Sequence, residues 1–471
     1  MASHEKPVPS TEESNVSRRS FLAAGVAGTA STLSAAAYAR VQGANERVGM
    51  GFVGYGLIGK RHVIDFQEQS DVNMAAVCDV HRGRLDEAAR FIGGEVRPYG
   101  DFRELLDNRQ VDAVVVSTPD HWHALIAMMA CAAGKDVYVE KPMTLFVREG
   151  RWMADVAKKH GRVVQVGTQQ RSGEHYQRAK TLIQDGHIGK IVSVRAQAAR
   201  NIMPGYGDPP TQSPPDELDY NLWLGPAPLK AYNANRAIYH FRWFWDYSGG
   251  QMTNLGQHSF DIVDMILGVQ GLKSVYSTGG RLALEDNGET PDVQDALFEF
   301  DGWTAAWYHR ECSRGLGREW PLEFYGTKGS LGIGRDGFVV TADRDIPPPN
   351  TVPQFTGAHP VGGPRPVKET GPPRYKTRPV TDESGDDRAQ FKQHARNFLD
   401  CIKSRHSPIS DVESGHRVAT MCHLANLSLR LGRRLAWDAE NETIIGDEEA
   451  TSMLVRPYRS PWNKVLDSLL S

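Results

Sequence analysis

Three short stretches of this chain place groups that do chemistry at spacings that make sense together. Gly54-Tyr55-Gly56-Leu57-Ile58-Gly59 sits between an apolar run and an amphipathic one. A Gly-x-Gly-x-x-Gly turn between a strand and a helix lets backbone approach a pyrophosphate, and the helix N-terminus faces it with partial positive charge. Gly54, Gly56, Leu57, Ile58 and Gly59 are therefore the expected phosphate loop. Asp79 ends the next apolar run. A carboxylate there accepts from ribose hydroxyls and repels a 2′-phosphate, which favours NAD over NADP, with Arg84 nearby as a lesser cofactor contact.

The second stretch is Glu140-Lys141-Pro142, just past another apolar run. A lysine at the carboxyl edge of a sheet, partly desolvated beside a cationic nicotinamide, has a depressed pKa and orients or shares the proton of a substrate hydroxyl. The third is Gly249 to Asp261, which holds Asn254 and His258. Spaced i and i+4, these two share one helical face, and a histidine suits a general base near neutral pH. NAD takes a hydride and Lys141 with His258 manages the proton, so the expected chemistry is oxidation of a secondary alcohol. The aromatic run Tyr239 to Tyr247 precedes this turn. Trp243 and Trp245 offer flat faces for a sugar ring, with Arg242 reaching hydroxyls. Gln169, Arg171, Asp261 and Tyr308 are further substrate candidates.

The elements that must position these groups follow from periodicity. Strands are expected at 47–53, 72–78, 111–117, 137–139 and 162–166, alternating with helices at 57–67, 84–92, 102–108, 120–133 (Asp120 as cap, Gly134 just past the end) and 149–160. That alternation gives a doubly wound parallel Rossmann sheet over 47–166. A second, α+β domain over 167–435 contains helices at 176–185, 388–404 and 416–431. Its strands at 191–198, 272–278, 293–300, 304–312 and 322–325 alternate in polarity and suit a large open, mainly antiparallel sheet. Residues 346–386 read as a Pro/Gly-rich loop or arm, and 436–471 as a C-terminal extension.

Over roughly residues 47 to 435 the chain resembles the glucose–fructose oxidoreductase and inositol dehydrogenase family (Gfo/Idh/MocA). The glycine loop, Ser117 to His123, Ala133 to Pro142 and Gly249 to Asp261 carry the resemblance in that order. It implies that Lys141 is in the active site, that Thr118, Pro119, His123 and Glu140 lie near the cofactor, and that the open sheet makes oligomer contacts, as a dimer or tetramer. The family's usual Asp-x-x-x-His pair maps to Asn254 and His258. An amide carries no proton away, so Asn254 only positions, or His258 and Lys141 suffice.

Totals narrow the rest. At 471 residues two domains are expected, and a net charge of −3 without a Lys/Arg run gives no reason to expect nucleic acid. Five scattered cysteines form no C-x-x-C pair and no metal-ligand spacing appears, so neither a disulfide framework nor a metal is expected. Arg18-Arg19 before a weakly apolar run ending Ala37-Tyr38-Ala39 reads as a twin-arginine export signal over 1–39, with a linker at 40–46 and no stable membrane anchor. Partners are then the export machinery and a carbohydrate or polyol, and the location periplasmic. Export of a folded enzyme suggests NAD loaded beforehand and tightly held. Three functions fit: a sugar or polyol oxidoreductase, a redox-neutral glycoside hydrolase or lyase working through a transient keto-sugar, and a non-catalytic sugar or nucleotide-binding protein.

Overall fold

A computed structural model of the chain describes residues 47–315, 320–345 and 372–471. The expected export signal, the linker up to residue 46 and most of the expected 346–386 arm lie outside the described residues.

The first sheet is built of strands that have no solvent face. All residues of β1 (Val48–Val53), β4 (Ala113–Val116), β5 (Asp136–Glu140) and β6 (Val164–Gly167) are buried. Such runs settle into a parallel sheet with helices on both sides. With β2 (Val72–Cys78) and β3 (Arg97–Tyr99) the order is β3-β2-β1-β4-β5-β6, and every pairing is parallel. The order reverses between β1 and β4, so the loops after Val53 and Val116 open a crevice at their carboxyl ends. β3 was not expected from the sequence: three residues around Pro98 give no periodicity, and only pairing with β2 makes them a strand.

The second sheet has ten strands: β7 (Ile191–Ala199), β8 (Ser274–Gly280), β9 (Val293–Phe300), β10 (Trp303–Arg310), β11 (Leu322–Gly326), β12 (Gly329–Gly334), β13 (Gly337–Ala342), β14 (Val380–Asp382), β15 (Leu435–Asp438) and β16 (Thr443–Ile444). Their order is β14-β13-β12-β11-β7-β10-β9-β8-β15-β16, antiparallel throughout except for β7 beside β10. Alternation along β9 buries Ala296, Phe298 and Phe300 against Phe260 and Leu424 of two covering helices, Gln257–Leu267 and Val412–Leu431. The opposite face is open, with Tyr276 and Leu297 paired in register and exposed. β12 is glycine-rich and β14 lies within the expected arm, which is why sequence patterning passes over them; β13 has an ordinary strand composition, Phe338 to Thr341, and is absent from the expected strands.

Two distant segments complete the Rossmann half. The helix Asp387–Ser404 packs Ala395, Phe398 and Leu399 into the core of Phe52, Phe66 and Tyr138. The helix Trp462–Leu470 lays Trp462 edge-on to Trp122, with centroids 4.8 Å apart. Asp120 does not cap its helix as expected. Pro119 holds that position, and the Asp120 carboxylate instead accepts a hydrogen bond from the Ser248 hydroxyl.

Candidate active site

The cofactor cleft begins at the glycine loop. Gly54 has φ +94°, and a Cβ there would stand 2.7 Å from the Ser117 carbonyl; a Cβ on Gly59 would stand 2.2 Å from the Gly54 carbonyl. Only glycine allows this turn and this close approach. The helix Leu57–Gln67 then starts with no side-chain cap and no acidic residue in its first turn. Its first N–H groups are thus left for an anion. Gly54, Gly56, Leu57, Ile58, Asp79, Arg84, Thr118, Pro119 and Arg242 all line one cleft. The Thr118 hydroxyl is buried in it without a hydrogen-bond partner among the described residues. The Asp79 carboxylate accepts from the backbone N–H of Tyr55 (2.8 Å) and of His81 (2.8 Å), tying the glycine loop to the end of β2. A dinucleotide fits this donor set: free helix N–H groups and an arginine for phosphates, a carboxylate for ribose and an unpaired hydroxyl.

The far wall of this cleft comes from the second half of the chain, through Trp223, Ile238, Tyr239 and Phe241. Ile238 has φ +71°, an uncommon conformation for a β-branched residue. Arg242, expected on substrate, faces the cofactor cleft and stacks over Tyr239 and Phe241. Trp243 and Trp245 line neither this cleft nor the one beside His258. Trp243 is buried with Phe241, Phe244 and Tyr247 as a wedge, and Trp245 lies under Arg430. The aromatic run is mostly packing.

Lys141 stands at the carboxyl end of β5. Its ammonium donates to both the backbone and the side-chain oxygen of Asn254, each at 2.9 Å. Burial, opposed by Glu140 and reinforced by Arg242, pushes its pKa down to about 8. On its other side the loop is stapled to the cofactor cleft: His123 bridges the Pro142 carbonyl (2.7 Å) and the Thr118 carbonyl (2.8 Å). His123 is buried and acts as this bridge, not as a cleft wall. Glu140 is likewise drawn inward. It bonds His62 (2.7 Å) and Gln169 (2.6 Å) and accepts from the Lys141 N–H (3.0 Å). Gln169, an expected substrate contact, is used there; its neighbour Gln170 lines the substrate-side cleft instead.

Asn254 and His258 do not lie on one regular α-helix. Asn254 belongs to a π-helical turn, Met252–Gly256, that precedes the α-helix from Gln257. Such turns are rare and cluster at functional sites. The turn sends Asn254 toward Lys141. His258 and Tyr308 line a second cleft of about 1700 Å³. Burial, then the Lys141 ammonium, then Arg335 hold His258 far below the usual imidazole range, and its Nδ1 has no partner among the described residues. It is a neutral base at pH 7.

Arg171 and Asp261 line neither cleft. Arg171 donates to Asp261 (2.8 Å) and Asp264 (2.9 Å) in a buried ion triad under the π turn. Sequence reasoning missed Gln251 and Glu311, which stand behind Asn254 as described below.

Residues 48–168 match the NAD-binding Rossmann domain of an oxidoreductase family, and 174–277 with 379–464 match its C-terminal α/β domain. Residues 229–332 match the GFO/IDH/MocA C-terminal domain. Inositol 2-dehydrogenase of Salmonella typhimurium is 30% identical over 179 residues, 37% of this chain and 53% of that enzyme. A glycosyl hydrolase family 109 protein of Shewanella baltica is 33% identical over 172 residues, 31% of this chain and 38% of that protein. The chain thus spans about half or less of the length of these two relatives. Levoglucosan dehydrogenase, solved with NADH and levoglucosan, superposes with a TM-score of 0.60 at 20% identity, covering 83% of this chain and 99% of that one. The chain belongs to the Gfo/Idh/MocA family of NAD-binding oxidoreductases.

Proposed function

We propose that this protein oxidises a secondary hydroxyl of a sugar, polyol or glycoside, using NAD that it holds tightly. The carrying observation is the pairing of a Lys141 ammonium, anchored on two Asn254 oxygens, with a neutral, unpartnered His258 four residues further on. NAD, when bound in the cleft over the glycine loop, supplies the hydride acceptor. The free N–H groups of residues 57–59 and Arg242 hold its phosphates. Asp79 accepts from the ribose and disfavours a 2′-phosphate, which supports NAD over NADP. Lys141 uses its remaining proton to orient the substrate hydroxyl and to stabilise the developing alkoxide. His258 accepts the hydroxyl proton. Asn254 carries no proton and keeps the ammonium in place.

Likeness to a glycosyl hydrolase family 109 protein favours a second reading, in which the same oxidation is transient and a glycosidic bond is lost before hydride returns. Export through the twin-arginine route is supported by Arg18-Arg19 and Ala37-Tyr38-Ala39; replacing both arginines with lysine should keep the protein out of the periplasmic fraction. A homo-oligomer is supported by exposed Tyr276 and Leu297 on the open sheet face.

The deciding experiment uses protein purified without added cofactor and a panel of sugars, polyols and glycosides, following reduced-nicotinamide absorbance in the protein. A lasting stoichiometric rise supports net oxidation. No rise with loss of a glycoside supports the second reading. Neither, from cofactor-loaded protein, sinks both and leaves a binding protein.

A further inference from the structure

Behind Asn254 lies a buried polar chain that no resemblance assigned. Asn254 Nδ2 donates to Gln251 Oε1 at 2.9 Å, and Gln251 Nε2 donates to Glu311 Oε1 at 2.6 Å. Glu311, the residue after β10 and on the wall of the cleft beside His258 with Arg200, also bonds His309 Nε2 through the same oxygen at 3.0 Å, and accepts from Arg200 Nε through the other at 2.5 Å. Gln251, His309 and Glu311 are all nearly inaccessible to solvent, at 1%, 0% and 2% exposure.

We propose that Glu311 is a positioning residue for Lys141: through Gln251 it fixes which end of the Asn254 amide faces the ammonium. This rests on the reading of Lys141 given above. The logic is one of donors and acceptors. Burial pushes the Glu311 carboxyl up, but the His309 bond and the Arg200 guanidinium outweigh it and hold the group below the usual range. It is therefore ionised and can only accept. Gln251 must turn its NH2 to Glu311, which leaves its oxygen toward Asn254. Asn254 must then turn its NH2 to Gln251, which leaves its oxygen toward Lys141. Either amide reversed would set two acceptors, or an NH2 and an ammonium, against each other in a desolvated site. A carboxylate at position 254 needs no such orientation. An amide there does, and the remote charge of Glu311 provides it. Lys141 also faces Glu140, Asp120, Arg242 and Arg335, none of which contacts the Asn254 side chain.

The test is Glu311→Gln in the full-length protein, with two readouts. The first is the pH midpoint for acylation of Lys141 by a small reagent, followed by mass spectrometry, which needs no substrate. The second is the rate at which a sugar reduces the bound cofactor. A glutamine at 311 both donates and accepts, so the amides are free to reverse and the ammonium loses its side-chain acceptor, keeping only the Asn254 backbone carbonyl. The midpoint should fall by about one pH unit and the rate at pH 7.5 by about tenfold or more. Adding Asn254→Asp should restore both, because Gln251 can then turn toward the new carboxylate. Gln251→Met, which leaves Glu311 with Arg200 and His309, should lower the midpoint in the same way if the first variant fails to fold. A slower rate with an unmoved Lys141 midpoint, or a shift that Asn254→Asp fails to reverse, overturns the proposal. Should the wild type reduce no cofactor with any sugar, the functional reading fails, and the Lys141 midpoint still decides the role of Glu311.

Discussion

The two clefts of this protein are built from different materials. The cleft over the glycine loop is largely backbone: a turn at Gly54, a close approach at Gly59 and bare N–H groups at the helix start. The cleft beside His258 is largely side chain, drawn from the π turn and from strands β7, β10, β11 and β12. Lys141 joins them, stapled to Thr118 by His123 on one side and bonded to Asn254 on the other. Backbone-built sites tolerate sequence change around a few glycines. A site assembled from side chains far apart in sequence depends on every member being held by something behind it.

The largest break in that comparison should come at the joint. Lys141→Met removes the ammonium and leaves the glycine loop untouched. The rate of bound-cofactor reduction should drop about a thousandfold, within the range of a lost acid–base group, while NAD content on purification stays at one per chain. Loss of cofactor with the lysine would mean that the two clefts are not separable.

Next is Arg171→Met, a change in the support of the side-chain cleft. It strands Asp261 in the interior, leaves Asp264 to Arg417 and the Val269 N–H, and should cost about 3 kcal/mol, measured by denaturant unfolding. KM for the sugar in surviving protein should stay near that of the wild type, since the arginine lines neither cleft. A large rise in KM with unchanged stability would return Arg171 to the substrate.

A pH titration sharpens the same contrast. Lys141 is charged below about 8. The ammonium form stabilises the alkoxide, so the rate should fall about tenfold per pH unit above that point. His258, held neutral, contributes no limb near pH 7. A rate that rises through 8 would make Lys141 the base. The smallest effect is expected in the backbone-built cleft. Asp79→Asn removes the charge and keeps an acceptor for only one of the Tyr55 and His81 N–H groups, and should move the NAD over NADP preference by about tenfold, read from the two dissociation constants.

This difference in material also governs what could be read in advance. The span of the helix at 57–67, the strands at 72–78 and 293–300 and the glycine loop follow from local pattern, because each is decided by neighbours in sequence. Arg171 and Asp261 have residue types that bind sugars, and only the fold shows that they bind each other. Trp243 differs in the same way from its expectation: aromatic rings suit a substrate wall and a domain wedge equally, and burial decides. Gln251 and Glu311 lie 60 residues apart. No spacing signals their contact, since strand β10 delivers one and the turn after Gly250 the other. The glycine-rich strand β12 is visible only as a partner of its neighbours.

The helix at 462–470 carries a consequence for how the molecule is made. Trp462 packs on Trp122 and Phe102, and Arg459 holds the Gly225 carbonyl and Asn221. Trp122 is itself a wall of the cofactor cleft. A ribosome moving at about 10 residues per second delivers that helix roughly 40 seconds after the glycine loop. Until then the nascent chain has the loop and the crevice but lacks the lid on the tryptophan behind them. Cofactor capture is therefore expected to follow emergence of this helix rather than that of the glycine loop.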